Sequence, residues 1–261
     1  MQHIPRKRFG QNFLVDSQTV ADIIRALHPR RGDVMVEIGP GLGALTRPLL
    51  QSLEHLHVVE IDRDIVKRLG DEFSAKKLTI HEGDALKFDF SSLGESLRVA
   101  GNLPYNISTP LLFHLSQFAD NIRDMHFMLQ KEVVARMVAK PSTSDYGRLS
   151  VMLQYRFEME QLFIVSAECF RPPPKVESAV VRMIPLKKPL IEASQEKLFA
   201  EVASAAFSHR RKTLRNTLRN YLKPDDYLKL EIDPNLRAEN LSIAQYVAIT
   251  NHFNGVRLDR N

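Results

Sequence analysis

Cysteine and long apolar runs are scarce or missing in this sequence, and each gap excludes a class of structure. The single cysteine, Cys169, rules out an internal disulfide and any zinc site built from several cysteines. No run of roughly 18 apolar residues occurs, so no membrane-spanning helix is predicted. The basic start of the chain is not followed by an apolar run of signal-peptide length. We therefore expect a reduced, cytoplasmic protein.

A metal-ligand spacing and internal repeats are also missing. The histidines show no ligand-like spacing, so we predict no metal site. Neither a low-complexity tract nor an internal repeat of fixed period is present. What is present is ordinary for a soluble globular protein: the 261 residues are 44% hydrophobic and 26% charged. This length fits one large domain, or one domain with a small appendage.

The charge is basic and unevenly distributed. The net charge of +5 suggests an anionic partner without naming it. A solvated helix face is the simpler interpretation of any one basic cluster, but two clusters near a nucleoside site would favour a phosphate backbone. The shorter cluster consists of Arg6, Lys7 and Arg8, and the longer one of Arg210, Arg211, Lys212, Arg215 and Arg219. The spacing in the longer cluster predicts a helix with cations on one face.

Short apolar runs alternate with amphipathic segments in the first half of the chain, which predicts βαβ units and a parallel, doubly wound α/β sheet. Near residues 162–184 two apolar runs lack a helix between them, and we expect an antiparallel hairpin at one sheet edge. We place domain boundaries at 1–186 and 187–261, the second being helical. The predicted strands are 34–38, 56–61, 78–80, 97–100, 125–129, 162–165 and 179–184; the predicted helices are 16–28, 45–53, 62–73, 110–118 and 132–138.

A glycine-rich turn follows the first predicted strand of this sheet. Gly39, Gly41 and Gly43 permit a tight turn and a close approach of the backbone to a ligand. The spacing is G-x-G-x-G, whereas the dinucleotide pattern is G-x-G-x-x-G. Because some dinucleotide sites accept alanine at the last position, as Ala44 would be here, the spacing alone leaves a dinucleotide-dependent oxidoreductase open.

Polar residues also end the next three strands. Glu60 can accept hydrogen bonds from ribose hydroxyls, Asp84 can accept from an adenine amino group, and Asn102 ends the fourth strand. The carboxyl ends of four neighbouring strands span about 15 Å, at about 4.8 Å a strand. An extended nucleoside that carries an amino-acid tail fits along such an edge.

The segment Asn102-Leu103-Pro104-Tyr105 suits a methyl acceptor of the exocyclic-amine type. Such an amine is a poor nucleophile, and acceptors near its N–H groups favour a tetrahedral nitrogen. The Asn102 side-chain oxygen and the Leu103 carbonyl can supply two acceptors. Pro104 biases Leu103 away from helix, and the Tyr105 ring can stack on an extruded base.

The tetrapeptide and the glycine turn together resemble the adenine-N6 methyltransferases. Residues 8–14, 170–176 and 207–216 narrow the resemblance to the ribosomal RNA adenine dimethyltransferases, and it runs over about residues 8–246. It implies a Rossmann-like class I methyltransferase fold and S-adenosylmethionine as cofactor. It also implies N6 dimethylation of two adjacent adenosines near the 3′ end of small-subunit (16S) rRNA during ribosome biogenesis.

The resemblance assigns roles to individual residues. Asn102, Leu103, Pro104, Tyr105 and Phe170 would form the acceptor site, with Tyr105 and Phe170 stacking on the target base. The basic clusters would contact rRNA, and we expect a monomer without metal. The cofactor would be held by Gln11, Asn12, Leu14, Gly39, Gly41, Glu60, Ile61, Asp84, Ala85 and Asn102.

Two rival interpretations share the same motifs. One is a large-subunit rRNA adenine methyltransferase of the macrolide-resistance type, which has the same cofactor and acceptor motifs; residues 170–176 and 207–216 favour the small subunit. The other is a non-catalytic ribosome assembly factor on the same scaffold. Intact Asn102 argues against the second without excluding it.

Overall fold

The computed structural model describes residues 11–258. Nine strands fall in these residues, and the seven longer ones match the apolar runs of the sequence. The strands are β1 (Phe13–Leu14), β2 (Met35–Ile38), β3 (Leu56–Glu60), β4 (Leu78–Glu82), β5 (Leu97–Asn102), β6 (Ile122–Gln130), β7 (Phe157–Val165), β8 (Phe170–Arg171) and β9 (Ser178–Pro185).

Seven of these strands form one sheet in the order β4-β3-β2-β5-β6-β9-β7. The pairs from β4 to β6 are parallel, and β9 is antiparallel to β6, with Val180 opposite Met128. The chain builds outward from β2 to β4 and then returns to start β5 on the other side of β2. The predicted doubly wound sheet and its antiparallel edge are therefore confirmed, and the strand order reverses between β2 and β5.

Two helices of the first unit, α1 and α3, begin at side-chain caps. Asp16 accepts from Thr19 N–H at 2.7 Å and caps α1, and Asp62 accepts from Asp64 N–H at 3.1 Å and caps α3. The helices are α1 (Ser17–Leu27), α2 (Thr46–Ser52), α3 (Arg63–Glu72), α4 (Ser108–Ser116), α5 (Lys131–Val138), α6 (Arg148–Gln154), α7 (Glu196–Ala206), α8 (Leu214–Thr217), α9 (Pro224–Lys229) and α10 (Ile243–Leu258).

The chain divides into two compact units, Met1–Val134 with Met159–Pro185, and Ala135–Glu158 with Leu186–Asn261. The boundary predicted after residue 186 lies one residue from the third and last point at which the chain passes between the units, after Pro185. The segment Ala135–Glu158, however, was placed in the first domain by the sequence, and this placement is wrong. Its Tyr146, Val151 and Tyr155 pack into the apolar core of the second unit.

Each unit has its own apolar core. In the first, residues of α1, α2 and α3 pack on β2, β3 and β4, around Leu27, Leu49 and Leu69. In the second, α6, α7 and α10 surround Phe199 and Tyr246, and the Tyr246 hydroxyl donates to the Ala238 carbonyl at 2.8 Å. Within residues 11–258 no helix is long and apolar enough to cross a membrane.

Candidate active site

A cavity of about 270 Å³ lies in the first unit at the carboxyl ends of β2, β3 and β5. The strand order reverses there, and open α/β sheets bind ligands at such a reversal. Leu103, Pro104 and Tyr105 of the acceptor motif line it. The structure also places on its wall every residue that the sequence predicted for the cofactor, namely Gln11, Asn12, Leu14, Gly39, Gly41, Glu60, Ile61, Asp84, Ala85 and Asn102.

The glycine turn needs its glycines. Gly39, Gly41 and Gly43 have φ of 68°, 53° and 83°, in the left-handed region that side chains disfavour. A Cβ at position 41 would lie 3.1 Å from Phe13 Cδ1, so the missing side chain lets this ring pack on the turn. Gly39 and Gly41 both line the cavity, so a ligand can approach their backbone without meeting a side chain.

Arg47 holds the turn from behind, and the sequence alone gave no sign of this role. Its Nη1 donates to the carbonyls of Leu42 and Gly43 at 2.8 and 3.1 Å. The same guanidinium forms a two-bonded ion pair with Glu72, at 2.6 and 2.8 Å. These hydrogen bonds hold the turn in its conformation from the side opposite the cavity.

Glu60 lies at the end of β3, as the sequence predicts for a ribose-binding carboxylate. Its Oε1 accepts from the backbone N–H groups of Ile61 and Asp62, each at 2.8 Å. Burial raises the pKa of the Glu60 carboxyl, while the backbone N–H groups oppose that rise. The Gln11 amide donates to Asp62 at 3.1 Å, which ties the N-terminal segment to the same corner.

Glu37 is a buried cavity residue that the sequence analysis did not assign to the site. It is 2% exposed and accepts from the Thr46 hydroxyl at 2.7 Å. Burial raises the pKa of Glu37 to about 7, and the nearby Glu60 carboxylate adds to the rise. An acidic residue inside an otherwise apolar strand was the available signal.

The other end of the cavity fits an adenine. Asp84 Oδ1 accepts from the Leu86 N–H at 3.0 Å, which orients this carboxylate on the loop after β4. Ala85 is buried beside it, and Ile61 is a partly exposed apolar surface. A buried carboxylate suited to hydroxyls, an apolar wall and a second carboxylate together suit an adenine nucleoside.

The acceptor motif begins where β5 ends. The Asn102 side-chain amide donates from Nδ2 to the Asn12 carbonyl at 3.0 Å, which leaves Oδ1 as the acceptor. Leu103 N–H donates to the Met128 carbonyl at 3.1 Å and anchors the loop to β6. The acceptor groups are thus held by backbone on both sides.

Tyr105 is positioned by a residue that the sequence analysis missed. Its hydroxyl lies 2.7 Å from Ser178 Oγ, and Ser178 is fully buried in β9. Burial raises the pKa of the Tyr105 hydroxyl, and its hydrogen bond to Ser178 partly offsets the rise. The phenol is therefore neutral at physiological pH and its ring is fixed at the cavity wall.

Phe170 does not lie where the sequence placed it. Its side chain is 0% exposed and packs in the core of the first unit, and it is not part of the cavity wall. In this conformation the ring offers no face to a base. The Phe170 backbone supports the cavity indirectly: β8 pairs with β1, and Phe170 lies opposite Leu14, which does line the cavity.

The longer basic cluster is exposed but is not the helical stripe that its spacing predicted. Helix α7 ends at Ala206, and only Leu214–Thr217 returns to helix. The N–H groups of Leu214 and Arg215 donate to Leu236 and Pro234, so tertiary hydrogen bonds replace a continuous helix. The exposed cations are Arg210, Arg211, Lys212, Arg215 and Arg219.

Two other predictions concern the cluster Arg6, Lys7 and Arg8 and the absence of a metal. The three N-terminal cations lie outside the described residues. Among residues 11–258, no group of three or more His, Cys, Asp or Glu side chains is placed to hold a metal ion.

The parallel sheet, its reversal at β2 and β5 and the nucleoside-shaped cavity define a methyltransferase that uses S-adenosylmethionine. The family described as ribosomal RNA adenine dimethylase matches residues 2–255. The chain belongs to this family and is an enzyme.

Individual relatives agree with this family. A Nitrosospira multiformis protein named ribosomal RNA small subunit methyltransferase A is 86% identical over 257 residues, which cover 98% of this chain and 99% of the relative. The solved structure of a dimethyladenosine transferase from Plasmodium falciparum matches with a TM-score of 0.80 at 26% identity, over 93% of this chain and 98% of that one. The 23S rRNA methyltransferase ErmE shares the fold, with a TM-score of 0.74 at 24% identity over 93% and 100% of the two chains.

Proposed function

We propose that the chain transfers methyl groups from S-adenosylmethionine to N6 of two adjacent adenosines near the 3′ end of small-subunit rRNA, as a step of ribosome biogenesis. The observation that carries the proposal is the orientation of Asn102. Its amide nitrogen is bound to the Asn12 carbonyl, and its oxygen is left for an amine at the end of the cofactor cavity.

The residues of the acceptor loop activate the amine. S-adenosylmethionine supplies, when bound, an electrophilic methyl group on a positively charged sulfur. Asn102 Oδ1 and the Leu103 carbonyl accept the N–H groups of the adenine, which favours a tetrahedral nitrogen. Because the methylated nitrogen becomes acidic, no strong base is needed. Preorganised polar groups of this kind are worth about 10²–10³ in rate each.

Base binding is assigned to Tyr105, whose ring is fixed through Ser178. A flipped adenine stacks on such a face and is read by hydrogen bonds to its edge. Phe170 is a second candidate for stacking on the base. Its ring is buried, so the β1–β8 pair would have to move to expose it.

The cofactor is assigned to the cavity residues. Glu60 binds the ribose, and Asp84 with Ala85 contacts the adenine. Gly39 and Gly41 lie under the methionine end, and Gln11, Asn12 and Leu14 cover it. Ile61 packs on the adenine from the β3 side.

The second unit is assigned to RNA. Exposed cations in residues 207–219 have no ion-pair partner among the described residues, which leaves them available to phosphates. Arg6, Lys7 and Arg8 are assigned to the same partner. We propose a monomer, since one chain supplies the whole cavity wall, and a cytoplasmic site of action, since the substrate is the small ribosomal subunit.

The test is transfer of labelled methyl from S-adenosylmethionine to small ribosomal subunits that lack these adenine methylations, with nucleoside analysis of the product. N6,N6-dimethyladenosine in small-subunit rRNA is the expected result. Large subunits are the matched control, and labelling of these alone would point to the macrolide-resistance type. Tight binding to small subunits without any transfer would make the chain an assembly factor and overturn the proposal.

A further inference from the structure

A second cavity, of about 190 Å³, lies in the first unit at the opposite edge of the sheet. Arg98 at the start of β5 borders it, whereas Asn102 at the end of β5 borders the first cavity. Four residues of a strand separate the two ends by about 13 Å. The second wall is formed by Ala26, Leu27, His28, Arg30, Arg98, Arg123, Asp124, His126, Arg182 and Ile184.

Four arginines line this cavity, and one of them, Arg98, is fixed by ion pairs. Arg98 is buried and donates to Asp33 at 2.6 Å, to Asp124 at 3.0 Å and to the Leu27 carbonyl at 2.6 Å. Its charge is thus balanced by two carboxylates and held rigidly at the base of the cavity.

The other three arginines are less committed. Arg123 shares Asp33 with Arg98, at 3.2 Å, and Arg182 pairs with Glu160 at 2.7 Å, where both side chains are about half exposed. The Arg30 guanidinium has no ion-pair or hydrogen-bond partner among the described residues. Four arginines therefore face three carboxylates, Asp33, Asp124 and Glu160, which leaves an excess of positive charge.

His126 gives an independent sign that the cavity is incomplete without a ligand. This cavity residue is buried, and its Nδ1 lies 3.3 Å from Asp124 Oδ1. Its Nε2 is buried and has no hydrogen-bond partner among the described residues. Native proteins satisfy the great majority of buried polar atoms, so such a ring requires an explanation.

We propose that this cavity binds an oxyanion of the phosphate class, held by Arg30, Arg123 and Arg182 with His126 at its buried side. Guanidinium groups bind phosphate through two parallel hydrogen bonds, and three of them around one cavity match a tetrahedral anion. The same chemistry can come from inorganic phosphate or from a backbone phosphate of the bound RNA. In either case the site lies away from the methyl-transfer cavity.

The experiment compares Arg30→Ala/Arg182→Ala with the control variant Arg31→Ala/Arg63→Ala. Arg31 and Arg63 are exposed and do not line the cavity, so the control loses the same two positive charges outside it. Inorganic phosphate is titrated into the full chain, and the side-chain NMR signals of His126 are followed. In parallel, the affinity for small ribosomal subunits is measured against salt concentration in phosphate-free buffer.

If phosphate shifts the His126 signals saturably in the wild type and in the control variant, and at least tenfold more weakly in Arg30→Ala/Arg182→Ala, the free anion is the ligand. If phosphate has no effect, but Arg30→Ala/Arg182→Ala alone binds subunits at least tenfold more weakly with a shallower salt dependence, the ligand is a backbone phosphate. If Arg30→Ala/Arg182→Ala matches the control variant in both measurements, the cavity is only an ion-pair network and the proposal is overturned.

Discussion

The side-chain amide of Asn102 has two ends that differ chemically, and the backbone decides which one faces the cavity. Nδ2 donates to the Asn12 carbonyl at 3.0 Å, and a reversed amide would set two oxygens against each other. Asn12 belongs to the segment that we assign to the cover of the cofactor. Cofactor binding and orientation of the acceptor oxygen are therefore coupled through one hydrogen bond.

Replacing Asn102 by alanine should separate chemistry from cofactor binding. We expect Asn102→Ala to lower single-turnover methylation by about 10²-fold, because the lost oxygen acts at the reacting amine. Cofactor affinity, measured by calorimetry, should change by a few-fold only. Gln117→Ala is the matched control, since Gln117 is an exposed amide at the end of α4 that does not line the cavity. Equal rates for Asn102→Ala and the wild type would contradict the proposed acceptor.

The pair Tyr105 and Ser178 should behave as one unit. A neutral hydrogen bond is worth about 0.5–1.5 kcal/mol, so Tyr105→Phe and Ser178→Ala should each lower kcat/KM by about 2–10-fold. The double variant should be no worse than the poorer single variant, because both remove the same bond. Tyr221→Phe, which removes a phenol hydroxyl from the second unit, serves as control. Multiplied effects in the double variant would show that the two residues act separately.

At the scale of helices and strands, the sequence predicted those elements that are determined by neighbouring residues. The buried strands β2 and β5 are apolar runs that end at glycine, and α1 has its cap at Asp16, so both follow from neighbouring residues. The grouping of the predicted site residues around one cavity followed as well, because parallel strands bring their ends to one edge.

The elements that the sequence did not predict depend on distant partners. Strand β1 is two residues long and exists through its pairing with β8, more than 150 residues away. The segment around Arg210 departs from helix because Leu214 and Arg215 find carbonyls near Leu236. Helix α6 packs in a core assembled from the C-terminal residues. No local spacing carries this information.

Gly101 tests how closely β5 approaches β2 at the point where the strand order reverses. A Cβ at position 101 would lie 2.5 Å from the Ile38 carbonyl oxygen, so a side chain there would force β5 and β2 apart. We expect Gly101→Ala to lower the free energy of unfolding by about 1–3 kcal/mol and to weaken cofactor binding. Urea unfolding measures the first effect. Gly32→Ala, which meets nothing within 4 Å, is the control, and equal stability of the two variants would disprove the close approach.

For the whole molecule, the buried carboxyl of Glu37 makes stability depend on pH. Its folded pKa of about 7 lies above the ordinary 4.5. Between these values the unfolded chain ionises Glu37 while the folded chain keeps its proton, so this contribution to stability is present below pH 4.5 and lost as the pH rises to 7.

Glu37→Gln should remove that loss, because glutamine does not ionise and can still accept from Thr46. Relative to the wild type, the variant should gain up to about 3 kcal/mol in free energy of unfolding between pH 4.5 and pH 8. Denaturant unfolding without cofactor at several pH values measures the difference. A difference between the two proteins that stays constant over this range would show that Glu37 is ionised in the folded chain throughout.

The net charge of +5 draws the whole molecule towards an anionic particle, but net charge alone does not locate the contact. We expect Arg211→Glu/Arg215→Glu to bind small subunits more weakly and to lower the slope of log affinity against log salt by about 1.5, at about 0.7–0.9 for each lost phosphate contact. Lys197→Glu/Lys229→Glu changes two exposed lysines of the same unit and gives the same net charge. If both double variants lower the slope equally, attraction is a property of total charge. A lower slope in the arginine variant alone places the RNA at residues 207–219.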